Sequence, residues 1–100
     1  MNVLDFTKAQ REALPALYST QDVELEEHVA VAKLFTPWTN WTWYVIEYDG
    51  QDQCFGLVEG HDKEFGYFSL NELREVTGPY GLTVERDIHF APTRVAELLK

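Results

Sequence analysis

The segment Trp41–Val76, WTWYVIEYDGQDQCFGLVEGHDKEFGYFSLNELREV, decides the fold. The Trp, Thr, Tyr, Val and Ile residues of Trp41–Tyr48 favour pleated backbone and predict a strand. Alternation puts Trp41, Trp43 and Val45 on one face and Tyr44, Ile46 and Tyr48 on the other. Asp49-Gly50 supplies a turn with positive φ. Gln53–Glu59 then pairs back, with Phe55 and Leu57 opposite Cys54, Gly56 and Val58; a glycine inside a strand marks a bulge or a close approach. Gly60–Glu64 forms a second turn and Phe65–Phe68 a third strand, so the segment is an antiparallel meander. Ser69 followed by Glu72 has the form of a capping box, with Phe68 and Leu73 placed as a hydrophobic staple. Leu70, Leu73 and Val76 give that helix its inward face, and Gly78-Pro79 stops it.

Upstream, Thr7 and Gln10 form another capping box, predicting a helix from Lys8 to about Leu14 that Pro15 ends. Ala16, Leu17 and Tyr18 continue as an irregular turn packed inward, and Ser19–Glu27 is a polar, acidic loop. From His28 to Thr36, apolar residues on both parities suggest a strand covered on both faces, with a short helix as the alternative. Pro37 and Asn40 bracket a turn. Downstream of the meander and its helix, Thr83–Phe90 alternates Val84, Ile88 and Phe90 against Glu85, Asp87 and His89 and predicts a strand with one wet face. Arg86 falls on its apolar parity, which requires an edge strand or a carboxylate partner. Pro92 and Thr93 open a short last helix with Val95, Leu98 and Leu99 turned inward. The expected fold is α+β: one domain over 1–100, a small antiparallel sheet of three to four strands plus a later strand, packed on two or three short helices.

At 100 residues, 45% apolar and 14% aromatic, the chain is sized and composed for one globular core. No apolar run is long enough for a membrane span, and MNVLDFTKAQ lacks the pattern of a secretory signal. A lone cysteine, Cys54, excludes an internal disulfide, so a cytoplasmic location is expected. The formal net charge is −9, and Thr36–Leu70 holds six acids against Lys63 alone. A field of this sign opposes phosphate binding, so direct nucleic-acid binding is disfavoured. The acidity serves either solubility or a surface that meets a basic partner.

The densest polar group is the turn Glu59-Gly60-His61-Asp62-Lys63-Glu64. His61, Asp62 and Glu64 are candidate metal ligands, but their spacing matches no recognised metal motif, and polar residues are what an exposed turn needs. His28, His61 and His89 are scattered, as surface histidines are. Cys54 beside Phe55 reads as a small core residue. There is no nucleophile elbow and no glycine-rich phosphate loop, hence no catalytic or cofactor-binding assignment. Trp38, Trp41 and Trp43 cluster within six residues. Three indoles are hard to bury in so small a domain, and an exposed one ringed by carboxylates would suit a protein partner; Trp38, beside Pro37, is the candidate for exposure.

Four stretches, QREALPALY, WTWYVIEYDG, FGLVEGHDKEFGYFSLNEL and GPYGLTVERDIHFAP, together resemble a family of small bacterial proteins classed as a domain of unknown function. Its members are found on plasmids, integrative elements and phages, often near antirestriction genes. The resemblance covers nearly the whole chain and implies a setting in mobile DNA; it carries no catalytic residues.

These features favour a non-enzymatic acidic interaction module, with Trp38, Trp41, Asp49, Asp52, Glu59, Asp62 and Glu64 as its partner-binding residues at the two hairpin turns. One version blocks a nucleic-acid-binding host protein by imitating phosphates. The alternatives are a small metal-dependent hydrolase centred on the His61 turn, and a self-associating domain that pairs through the Arg86 strand. Monomer and homodimer both stay open.

Overall fold

The structure, a computed structural model, describes residues 4–100. The first helix, α1 (Lys8–Ala13), starts on the capping box: Gln10 N donates to Thr7 Oγ1 at 3.1 Å and Thr7 N to Gln10 Oε1 at 2.9 Å. It ends at Leu14, one residue before Pro15. The chain then crosses the sheet as an irregular segment that closes with one helical turn at Leu25–Glu27.

Two sheets follow. Strands β1 (Val29–Ala30) and β2 (Ala32–Phe35) interrupt each other at Val31, so the predicted His28–Thr36 strand is split. The strands β3 (Thr42–Tyr48), β4 (Gln53–Glu59) and β5 (Lys63–Ser69) are the expected meander. After α2 (Leu70–Arg74) come the short strands β6 (Glu85–Arg86) and β7 (Thr93–Arg94), then α3 (Val95–Leu98). The main sheet has the order β5-β4-β3-β2-β6, and β1 pairs with β7 apart from it. All pairings are antiparallel, which makes the protein α+β.

One face of the sheet carries the core. Leu4, Phe6 and Leu14 from the N-terminal segment, Leu70 and Leu73 from α2, and Val84 pack on Ala32, Leu34, Trp43, Val45 and Cys54. At Gly56 β3 and β4 approach closely, because a Cβ there would overlap the Tyr44 carbonyl oxygen. Directly opposite, β3 bulges: Val45 pairs with Gly56 and Glu47 with Phe55, leaving Ile46 as the extra residue.

The bulge corrects the simple alternation. Tyr48 returns to the core face, where its ring meets Phe6 edge-on at 5.1 Å, and Glu47 turns to the opposite face with Tyr44, Phe55 and Leu57. Three other expectations also fail. Thr83–Phe90 is a strand only at Glu85–Arg86: after a last cross-strand bond from Asp87 N to Lys33 O the chain turns at Ile88–His89, leaving Ile88 exposed. Tyr18 does not pack inward; it is exposed at φ 68°, a left-handed conformation costly for a side chain of its size. Val76 and Leu99 are exposed as well, because α2 and α3 end before reaching them.

Candidate functional site

The turn acids have structural work. Asp49 Oδ1 accepts the amides of Gln51, Asp52 and Gln53 at 2.7–3.1 Å, and those bonds hold its carboxyl below the ordinary carboxylate value. Asp52 caps α2 from outside. Its Oδ2 accepts the Ser69 hydroxyl at 2.6 Å, its Oδ1 the Asn71 amide at 2.7 Å, and its carbonyl the Leu70 amide at 3.0 Å. Ser69 Oγ in turn accepts from Glu72 N, so Ser69 caps α2, and Asp52 adds a second acceptor for the helix start at the Asn71 amide.

Glu59, Asp62 and Glu64 lie at the other end of β4, which at seven residues separates the two turns by roughly 20 Å. Glu59 faces Lys63 at 4.0 Å. Asp62 and Glu64 are exposed. His61 lies edge-on to Trp41 at 5.8 Å, and no three His, Cys, Asp or Glu side chains among the described residues converge to hold a metal ion. The turn acids therefore form two separate groups. The indoles are half-buried on glycines: Trp41 lies on Gly60 and Trp38 on Gly78, so Trp38 is not the freely exposed ring expected beside Pro37. Arg86, on the short edge strand, gives its Nε–H to the Asp5 carbonyl at 2.7 Å.

The most developed site lies on the sheet face that the bulge opens. Glu47 is 2% exposed and accepts from Tyr18 N at 2.8 Å, from Thr20 N at 2.9 Å, and through a short bond from the Thr20 hydroxyl. His28, 5% exposed, places Nδ1 at 3.3 Å from the same hydroxyl oxygen. The Thr20 proton is given to Glu47, so its oxygen accepts from His28 Nδ1–H, the arrangement that makes Nε2 the acceptor in the neutral tautomer. No fully buried side-chain nitrogen or oxygen among the described residues lacks a partner, and Nε2 makes no hydrogen bond there, so it is not fully enclosed. Val95 N donates to the His28 carbonyl at 2.8 Å and Arg94 pairs with Glu27 at 2.9 Å, which fixes this stretch to the C-terminal segment.

These groups line a groove of about 330 Å³, at the lower end of the ~300–1,000 Å³ of small-ligand sites. Its walls are residues 20–25 of the loop, and its floor is Glu47, His28, Phe55 and Tyr67. The Phe55 ring lies 5.0 Å from Tyr67 and 6.4 Å from His28, and Tyr18 leans on Tyr67 at 5.6 Å. Asp22 and Glu24 add carboxylates to the wall, and residues 18–28 contain four acids and no Lys or Arg. Among the described residues, Glu47 has no ion-pair partner.

None of the groove residues was a candidate from sequence. Two signals were present: a single acid inside the aromatic and β-branched Trp41–Tyr48 strand, and an acid-rich loop without a base. Among the described residues, no helix is long and apolar enough to cross a membrane. Searches of curated proteins and of solved structures find no match. A family model described as "Protein of unknown function (DUF2958)" matches residues 6–98, nearly the whole chain, and the protein belongs to that family.

Proposed function

We propose that this protein is a non-enzymatic, cytoplasmic interaction module of a mobile genetic element, and that it recognises a basic protein through the groove under residues 18–28. The observation that carries this is Glu47: a buried carboxylate with hydrogen bonds but no counter-charge among the described residues, beneath a loop that adds Asp22 and Glu24. An uncompensated buried charge is costly, and an arriving cation lowers that cost. The mobile-element setting rests on the sequence resemblance, and it suggests a host nucleic-acid-binding protein whose basic surface otherwise holds phosphate. A phosphate-like row across both hairpin turns is less well supported, because those carboxylates sit at opposite ends of β4 and two of them cap backbone.

The test compares proteins captured from a bacterial extract by the wild type and by two double variants of equal charge change, Asp22→Lys/Glu24→Lys in the loop and Asp62→Lys/Glu64→Lys at the turn. The proposal expects basic proteins that are released by salt, lost with the loop variant and kept by the turn variant. Equal capture by both variants, or capture indifferent to salt, overturns it.

A further inference from the structure

We infer that the groove is a receptor for one guanidinium group, an arginine side chain of the partner, seated over Phe55 and Tyr67 with its N–H groups turned to His28 Nε2 and Glu47. This deepens the proposed function and rests on the groove being the working surface. The argument is one of hydrogen-bond direction. Thr20 uses both its amide and its hydroxyl proton on Glu47. His28 uses Nδ1–H on Thr20, which in the neutral tautomer makes Nε2 an acceptor, and the residue, 5% exposed, lines the groove. Glu47 Oε1 takes a single donor, Tyr18 N, and keeps a lone-pair site. Asp22 and Glu24 also only accept. Apart from the Tyr67 hydroxyl and the Gln21 amide, which can accept as well as donate, the polar side chains left open on the groove are acceptors, and a ligand rich in donors fits them.

The floor selects among donors. Phe55 contacts both the His28 and the Tyr67 rings, giving a π surface beside the acceptors. A guanidinium is flat, weakly hydrated and carries its five donors at its rim, so it can stack on this surface and bond sideways. An ammonium is compact, strongly hydrated and gains less from the same floor.

The experiment follows backbone amide shifts of the full chain by NMR during titration with N-acetyl-arginine amide, N-acetyl-lysine amide and N-acetyl-citrulline amide, the last an uncharged near-isostere of arginine. The arginine compound is expected to give saturable shifts at Thr20, His28, Glu47 and Phe55, the lysine compound weaker binding at the same place, and citrulline none. Phe55→Leu, which keeps an apolar side chain there, is expected to weaken arginine binding about tenfold with spectral dispersion unchanged. Citrulline shifts equal to those of arginine, lysine binding as tight as arginine, or shifts shared with Asp49 and Asp62 overturn the inference. If the arginine compound fails to bind while loop-dependent capture from extract holds, the interaction module stands and the guanidinium site falls; the reverse result leaves the site and removes the module.

Discussion

Glu47 and Thr20, 27 residues apart in sequence, are joined by two hydrogen bonds, one from the Thr20 amide and one from its hydroxyl. With the bond from Tyr18 N, they attach the segment after α1 to the sheet through a single carboxylate. Removing that carboxylate leaves three donors without that partner in a partly buried place. Glu47→Ala should therefore cost about 2–4 kcal/mol of stability. Thr20→Val, which keeps the amide bond, should cost about 1–2 kcal/mol. Denaturant unfolding measures both, and hydrogen exchange should show residues 18–28 losing protection first. A Glu47→Ala cost under ~0.5 kcal/mol would mean that the loop is held elsewhere.

The meander and its caps were legible because each depends on neighbours in sequence. Thr7 with Gln10, Asp49 with Gly50, and Ser69 ahead of an apolar helix face are local signals, and local geometry answered them. The groove was not legible, for a physical reason. A strand's faces are assigned by counting in twos, and the extra residue at Ile46 reverses the count, sending Glu47 to the side opposite the core. Nothing in Val45-Ile46-Glu47 distinguishes a bulge from regular strand. Thr20 and His28 join Glu47 only through long-range folding, and an acid-rich loop looks the same whether it lines a groove or faces water.

Asp52 acts on α2 as Ser69 does, from 17 residues upstream. A helix of five residues has little stability of its own, so its caps matter more than its propensity. Asp52→Ala removes two bonds and should cost about 1–2 kcal/mol. Ser69→Ala should cost about 1 kcal/mol. Because both act on the same helix start, the double variant should cost less than the sum, which a double-mutant cycle by thermal or denaturant unfolding will detect. Strict additivity would show that the two caps work independently.

Gly56 and Gly66 face each other across β4 and β5, yet their surroundings differ. A Cβ at Gly56 meets the Tyr44 carbonyl, which is backbone and cannot move without opening the β3–β4 ladder; a Cβ at Gly66 meets nothing within 4 Å. Gly56→Ala should therefore destabilise by at least about 3 kcal/mol or prevent folding. Gly66→Ala should change stability by under ~1 kcal/mol, and in the stabilising direction, since alanine has less freedom to lose. Comparing unfolding midpoints of the two variants checks the pair. Equal effects would place the close approach of β3 and β4 in doubt.

Alkaline pH should unfold the protein by a route read from three side chains. Burial pushes the Cys54 thiol well above its ordinary value of 9.0, with the Asp49 and Asp52 charges adding to it. Burial likewise raises the Tyr44 phenol above its ordinary 10.0, helped by the Glu59 carboxylate, and raises Tyr48 above the same value. For each group the folded state holds its proton after the unfolded chain has released it. The contribution to stability is therefore complete below the unfolded value and is lost as pH rises toward the folded one. Stability should begin to fall near pH 9, from Cys54, and fall more steeply past pH 10 as the phenols join. Cys54→Ala should remove the early part of the decline, and Tyr44→Phe or Tyr48→Phe should flatten the later part. Denaturant unfolding at stepped pH gives the slopes. The native thiol should also resist a disulfide reagent at neutral pH and react at once in denaturant, because Cys54 has no exposed surface. A stability curve flat through pH 10, or rapid thiol labelling of the native protein, would place Cys54 and the phenols outside the packed face that the fold assigns to them.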